Sequence, residues 1–346
     1  MRTPIDLNTS RDNVKEIIVW AEQRSGRLAE VSREIITKAV DLAENLEGTV
    51  SAICIGDDCT LLGKELISYG ADRVFLVEDS RLALYQSDVY SRVVADILFE
   101  RQPDIVLVGG TSIGMDIAPR VAAKVKTGLT AHCVDLYMEY IDGKDQLVQV
   151  IPGWGGTMMV KIVCPERRPQ MATIRPGVME KRQPDFSRKG NIIPVIPDFS
   201  EDDFGAKTIE FVEEKSNRGS LEDTDIIISG GFGLYSSGGF ALIEELADAL
   251  HGEVAGTRPA FDHDWITEDR LIGQSGKTVR PNLFVSIGAS GAIHYTTGFV
   301  KSKIIVAIDK NPSAPIFDIA DVGIVGDLNQ IVPCIIAELE KQNNQD

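Results

Sequence analysis

Twice along this chain, short β-branched runs alternate with amphipathic segments, and that alternation admits few folds. Between Glu16 and about Ile151 the runs EIIVW, TVSAICI, RVFLVED and DIVLVGG are separated by segments 28–46, 60–69, 89–100 and 114–125. Strand and helix in alternation build a parallel sheet with helical crossovers. Within the first segment Leu28, Val31, Ile35, Ile36, Ala39, Leu42, Ala43 and Leu46 recur at the three-and-four spacing of a helix with one buried face. That spacing describes a core and carries no chemistry. A second series follows: DIIISGG, a helix over 239–251, LFVSIGAS, KIIVAIDKN, DVGIVGD and a closing helix over 328–341. The expected fold class is α/β, with two doubly wound, mostly parallel sheet domains.

Two interruptions shape the domain plan. Between Ala131 and Pro176 the runs LVQVI, MMVKIVC and MATIRPG follow one another with no helical spacer, which predicts an antiparallel portion or edge extension. Residues 176–203 are rich in proline and charge and read as an extended connector. The boundary is therefore expected near Asp203, giving domains 1–203 and 204–346. A chain of 346 residues suits two cores, because single cores seldom grow past roughly 250 to 300 residues.

Composition excludes several classes of partner. A formal charge of -17 argues against nucleic acid and anionic membranes, whose non-specific binding needs clustered Lys and Arg. No apolar run approaches the roughly 18 residues of a membrane span. Cys54, Cys59, Cys133, Cys164 and Cys334 form no CxxC pair, and the four histidines do not cluster with them, so no metal site is expected. These features point to a cytoplasmic protein with reduced thiols and no membrane insertion. His132 and Cys133 show no orienting partner in sequence, so a catalytic pair has no support.

The chemistry is concentrated in the last third, where GGFGL, AGTRPA, GQSGK, SIGASGAIHYTTG and DKNPSAPIF follow one another at strand ends. Such ends are where ligands sit in open α/β sheets. Glycines there let a phosphorylated ligand come close, with free N–H groups turned to it. The stretch 230–239 reads as a phosphate loop or as a tight turn with a helix cap, and taken alone it favours the turn, since it matches neither GxGxxG nor a Walker loop. Arg258, fixed by the following proline, reads as a surface charge or as a cation over a ring. Gln274 and Ser275 read as a polar turn or as donors to a heterocycle edge. Ser290, Gly291 and Ala292 give the strongest local signal, backbone N–H groups at a helix start. His294 and Tyr295 read as a ligand-contacting pair or as packing. In the first half, 108–125 also runs from strand through glycines into a helix, and tight strand–helix packing is the expected outcome there.

Taken in order, these motifs closely resemble the alpha subunit of the electron transfer flavoproteins, and the resemblance covers nearly the whole chain. It implies FAD as cofactor, held by the C-terminal domain. It also implies a beta subunit paired with the N-terminal domain, and electron exchange with an acyl-CoA dehydrogenase, another flavin dehydrogenase or a quinone oxidoreductase. Thr257 and Arg258 would lie by the flavin, the guanidinium over the ring, with Ile272, Gly273, Gln274, Ser275 and Gly276 lining it and the Ser275 hydroxyl near N5. Gly288, Ser290, Gly291, Ala292, Ile293, His294 and Tyr295 would follow the ribityl chain and ring edge. Asp309, Lys310, Asp327 and Leu328 would reach the adenosine half. Three positions depart from the family pattern. Phe232 stands at the arginine of GGRGL, Tyr295 at the histidine of GAIQH with His294 displaced by one, and Asp309 at an asparagine. A phenol cannot become cationic near neutral pH as an imidazole can, so the flavin's redox tuning is expected to differ.

The resulting expectation is an electron carrier without substrate chemistry of its own. Whether its complex bifurcates electrons depends on a second flavin outside this sequence. Two readings stand beside it: a nucleotide-binding enzyme working through the N-terminal sheet, and an interaction subunit that has lost FAD, motivated by Phe232.

Overall fold

Buried β-branched strands build the first sheet, and their period of two decides which helices cover each face. The computed structural model describes residues 14–153, 158–199, 203–205, 208–209, 219–237 and 240–343. In chain order the main elements of the first unit begin with β1 (Glu16–Ala21), α1 (Glu30–Leu46), β2 (Thr49–Gly56), α2 (Thr60–Tyr69), β3 (Arg73–Glu78) and α3 (Ser87–Arg101). They continue with β4 (Ile105–Gly109), α4 (Ser112–Val125), β5 (Leu129–Cys133), β6 (Asp135–Ile141), β7 (Lys144–Gly153), β8 (Met158–Ile162), β9 (Gln170–Ile174) and β10 (Asn191–Pro194). On β1, Ile17, Val19 and Ala21 pack with Ile35, Ile36 and Leu66 of α1 and α2. Ile18 and Trp20 point the other way, into Val93, Ile97 and Val121 of α3 and α4.

The seven strands run β10-β3-β2-β1-β4-β9-β5, with every pairing parallel. Strands β6, β7 and β8 form a separate antiparallel sheet. The expected antiparallel portion is thus present, while the MATIRPG strand of the same run returns to the parallel sheet as β9, between β4 and β5. The stretch expected as a connector behaves differently too. Residues 191–194 pair with β3 as an edge strand, and the Glu34 carboxylate of α1 accepts the N–H groups of Gly177 and Met179 at 3.0 and 3.2 Å. Prolines mark the run as extended, but extension and edge pairing share one backbone conformation. The division between two compact units falls at 213/214, later in the chain than Asp203.

At the end of β4 a Cβ on Gly114 would overlap the Gly109 carbonyl oxygen, and Thr111 caps α4 by accepting the Gly114 N–H at 2.9 Å. The turn closes on its own backbone, the tight packing its sequence suggests.

The second unit contains β11 (Ile226–Gly230), α5 (Ala241–Leu250), β12 (Glu253–Gly256), α6 (Arg258–Asp262), β13 (Leu283–Ile287), α7 (Ile293–Thr296), β14 (Ile304–Asp309), β15 (Val322–Val325) and α8 (Leu328–Asn343). The parallel order is β12-β11-β13-β14-β15. The chain leaves β11 toward one edge and, after β12, crosses to its other side at β13. The topological switch point therefore lies between the carboxyl ends of β11 and β13.

Candidate functional site

At that switch point the loops are sewn together through their backbones. Gly231 and Gly233 donate to the carbonyls of Ile287 and Gly288 at 2.9 and 2.8 Å. Thr257 donates to Gly230 at 3.1 Å, Ile272 to Gly256 at 3.0 Å and Gln274 to His294 at 2.7 Å. Beyond β13, Gly288 donates to Ile308 at 2.8 Å, Ile316 to Ser290 at 3.0 Å and Gly326 to Asp309 at 3.1 Å. Segments 257–258, 272–276, 288–295, 309–310 and 327–328 thus share one continuous floor.

The glycines serve that floor more than they serve a ligand. A Cβ on Gly231 would overlap the Gly288 carbonyl oxygen, and one on Gly291, at φ +86°, would overlap the Ile316 nitrogen. A side chain at either position would push two loops apart. Sequence alone cannot tell a glycine that faces a ligand from one that faces another loop.

Above the floor, Gln274, Ser275, Ser290, Ala292, Ile293 and His294 are exposed, while Thr257, Ile272, Gly273, Gly291 and Leu328 are buried. Gly276 and Gly288 are half-buried, and Leu328 packs beneath Gly288. The Arg258 guanidinium donates through Nε to Asp262 at 2.8 Å and sits 5.3 Å from the Phe261 ring centre. Asp309 and Asp327 each accept a backbone N–H two residues on, from Asn311 at 2.8 Å and Asn329 at 2.9 Å, and Asp327 thereby caps α8. Lys310 is exposed. Lys277 pairs with Glu222 at 3.2 Å.

The three departures from the family pattern take distinct places. Phe232 is 50 % exposed and lies against Tyr235, His263 and Trp265, with ring centres 5.5, 5.4 and 6.2 Å away. Tyr295 is turned inward. Its hydroxyl donates to Ser229 Oγ at 2.8 Å and meets Ser286 Oγ at 3.1 Å, and burial pushes the phenol up to about 12. Asp309 is half-buried at the end of β14. Sequence reasoning missed Ser229 and Ser286, although a serine inside each of two apolar strand runs was a signal. It also missed Asp262, four residues after Arg258 on one helical face.

One observation tests whether the site fits a bound heterocycle. Thr257 Oγ1 is buried and has no hydrogen-bond partner in the structure. Such a group costs stability unless something satisfies it. A hydroxyl at the carboxyl end of β12, beside an arginine and among exposed polar loop residues, fits a flavin with polar edges and a phosphate. Among the described residues no group of three or more His, Cys, Asp or Glu side chains could hold a metal, and no helix is long and apolar enough to cross a membrane.

Both units match models of one family. Residues 17–199 match the family model described as electron transfer flavoprotein domain, and residues 220–300 match the electron transfer flavoprotein FAD-binding domain. An electron transfer flavoprotein subunit alpha of Thermoanaerobacterium thermosaccharolyticum is 44 % identical over 330 residues, covering 95 % of this chain and 99 % of that protein. One from Clostridium acetobutylicum is 38 % identical, covering 97 % and 100 %. The protein named acryloyl-CoA reductase electron transfer subunit beta, from Anaerotignum propionicum, is 36 % identical, covering 98 % of each.

Proposed function

The chain belongs to the electron transfer flavoprotein family as an alpha subunit, and from that premise we propose that the sewn loops of its second unit hold FAD through Thr257, Arg258, residues 272–276 and residues 288–295. FAD is the cofactor, and a beta subunit is the partner with which such a subunit forms a heterodimer. Asp309, Lys310, Asp327 and Leu328 are proposed to bound the adenosine half, and Phe232 an apolar edge of the site. The bound flavin supplies the one- and two-electron chemistry. The protein's own part is to bind, orient and tune. Thr257 Oγ1 is the polar atom a ligand would satisfy, and Arg258 is the cation nearest it in sequence, suited to a ring that gains negative charge on reduction.

The place of the unpartnered Thr257 hydroxyl, at the carboxyl end of β12 among the switch-point loops, carries this reading. We place the redox partner among flavin dehydrogenases acting on acyl-CoA thioesters, a reading supported by the name of the Anaerotignum relative. We further place the beta subunit on the antiparallel sheet of the first unit, where Tyr140, Met158 and Met159 are 72, 57 and 61 % exposed. One absorbance spectrum of the chain co-expressed with its beta subunit tests the function. Flavin bands, with FAD released on denaturation, are expected. A colourless complex that takes up no FAD would overturn it.

A further inference from the structure

His294 and Gln274 are joined twice. The Gln274 N–H donates to the His294 carbonyl at 2.7 Å, and His294 Nδ1 meets Gln274 Oε1 at 2.5 Å. A carbonyl oxygen can only accept, so Nδ1 carries the hydrogen. In the neutral imidazole this leaves Nε2 with a lone pair and no proton. Both side chains are exposed, whereas the neighbouring Tyr295 is turned into the core. The turn at Gly273 makes the double contact attainable. At φ +134° it lies so close to the partner loop that a Cβ would stand 2.6 Å from the His294 carbonyl oxygen.

We propose that Gln274 is a positioning residue that locks His294 as the Nδ1–H tautomer, so that His294 Nε2 accepts a hydrogen bond from the ring imide N–H of FAD. The proposal rests on the FAD reading above. The pyrimidine edge of an oxidised isoalloxazine offers one N–H between two carbonyls. An Nε2 lone pair attracts that N–H and repels the carbonyls, which fixes how the ring can sit. With the proton on Nε2 the preference would reverse. Gln274 therefore sets the polarity of a contact that His294 makes.

The first arm of the test needs no flavin. Ring-nitrogen NMR of the ¹⁵N-histidine-labelled chain, at a pH where the imidazole signals are those of the neutral ring, should show His294 protonated at Nδ1. Loss of the signal in His294→Gln assigns it. In Gln274→Ala the population should move toward Nε2–H. A His294 protonated at Nε2 in the unaltered chain overturns the proposal. The second arm compares FAD with N3-methyl FAD on the flavin-stripped heterodimer. The methyl compound should bind about tenfold more weakly, and His294→Ala should erase that difference. Equal affinities in the unaltered protein overturn the proposal while leaving the FAD reading intact. Failure of both flavins to bind removes the FAD reading and the proposal with it, whatever the tautomer.

Discussion

The Tyr295 hydroxyl donates to Ser229 Oγ at 2.8 Å, linking the short helix α7 to the buried interior of β11. Ser286 on β13 meets the same oxygen at 3.1 Å. The ring lies 4.7 Å from that of Phe299 and 6.4 Å from that of Phe284. The phenol is therefore a bolt between helix and sheet, and a histidine there would have to satisfy the same two serines.

Tyr295→Phe should destabilise the chain by about 1 to 3 kcal/mol, because two buried hydroxyls lose a partner. The pH dependence follows from the raised phenol. The folded chain holds this proton more tightly than the unfolded chain, so its contribution is full below about 10, the ordinary tyrosine value, and is lost as pH rises toward about 12. Urea titrations from pH 8 to 11.5 should show a shallower loss of stability in Tyr295→Phe. Identical slopes would remove the bolt.

Thr257→Val separates two kinds of burial. If the hydroxyl waits for a ligand, the flavin-free chain should be unchanged or up to about 1 kcal/mol more stable, while FAD affinity falls about five- to tenfold. Thermal melts with and without FAD would show this. A destabilised flavin-free chain with undiminished FAD binding is the contrary result.

Arg258→Ala should weaken FAD about ten- to a hundredfold, as expected when a charged donor is removed. It should scarcely change the melting temperature, since the Arg258–Asp262 pair is exposed. A fluorescence titration of the stripped complex measures it. An unchanged dissociation constant would leave the guanidinium as a surface charge.

How much of this was legible in the sequence depends on the range of the interactions involved. The helix at 30–46 was visible because its core face is written within one segment, Val31 to Leu46. Residues 191–194 were not, because pairing with Arg73–Leu76 is decided more than a hundred residues away. Arg258 and Gln274 were found by motif; the Asp262 partner of Arg258 is local, four residues on, whereas the pairing of Gln274 with His294 appears only once two loops meet. The inward turn of Tyr295 had a faint signature in Ser229 and Ser286, polar residues inside strands that otherwise read as core.

Arg101→Met should cost the first unit about 3 to 5 kcal/mol. It removes the Nε–carboxylate contact of 2.9 Å to Glu16, which lies on the first residue of β1 and is nearly inaccessible. Replacing both partners, as Glu16→Leu with Arg101→Met, should recover only part of that loss, because Arg73, 3.5 Å away, and the Ser51 hydroxyl also contact the Glu16 carboxylate. Urea unfolding followed by Trp20 fluorescence would compare them. A double variant as weak as the single one would mean the pair itself is the source of stability.

Met159→Asp should weaken the heterodimer at least tenfold without changing the melting temperature of the isolated chain, because the side chain is exposed on β8. Sedimentation of the mixed subunits would measure it. Undisturbed assembly would move the partner elsewhere.

The glycine floor of the second unit has a consequence for divergence. Its loops are bound carbonyl to amide, so its shape is set by atoms that every residue type shares. Exposed side chains standing on it, such as the ring at Phe232, can be exchanged without redrawing it, whereas the phenol at Tyr295 is fixed beneath it by Ser229 and Ser286. On the proposed FAD reading, exchanges at exposed positions would alter cofactor potential and leave cofactor geometry in place, with glycines such as Gly231 and Gly291 as the points where drift is forbidden.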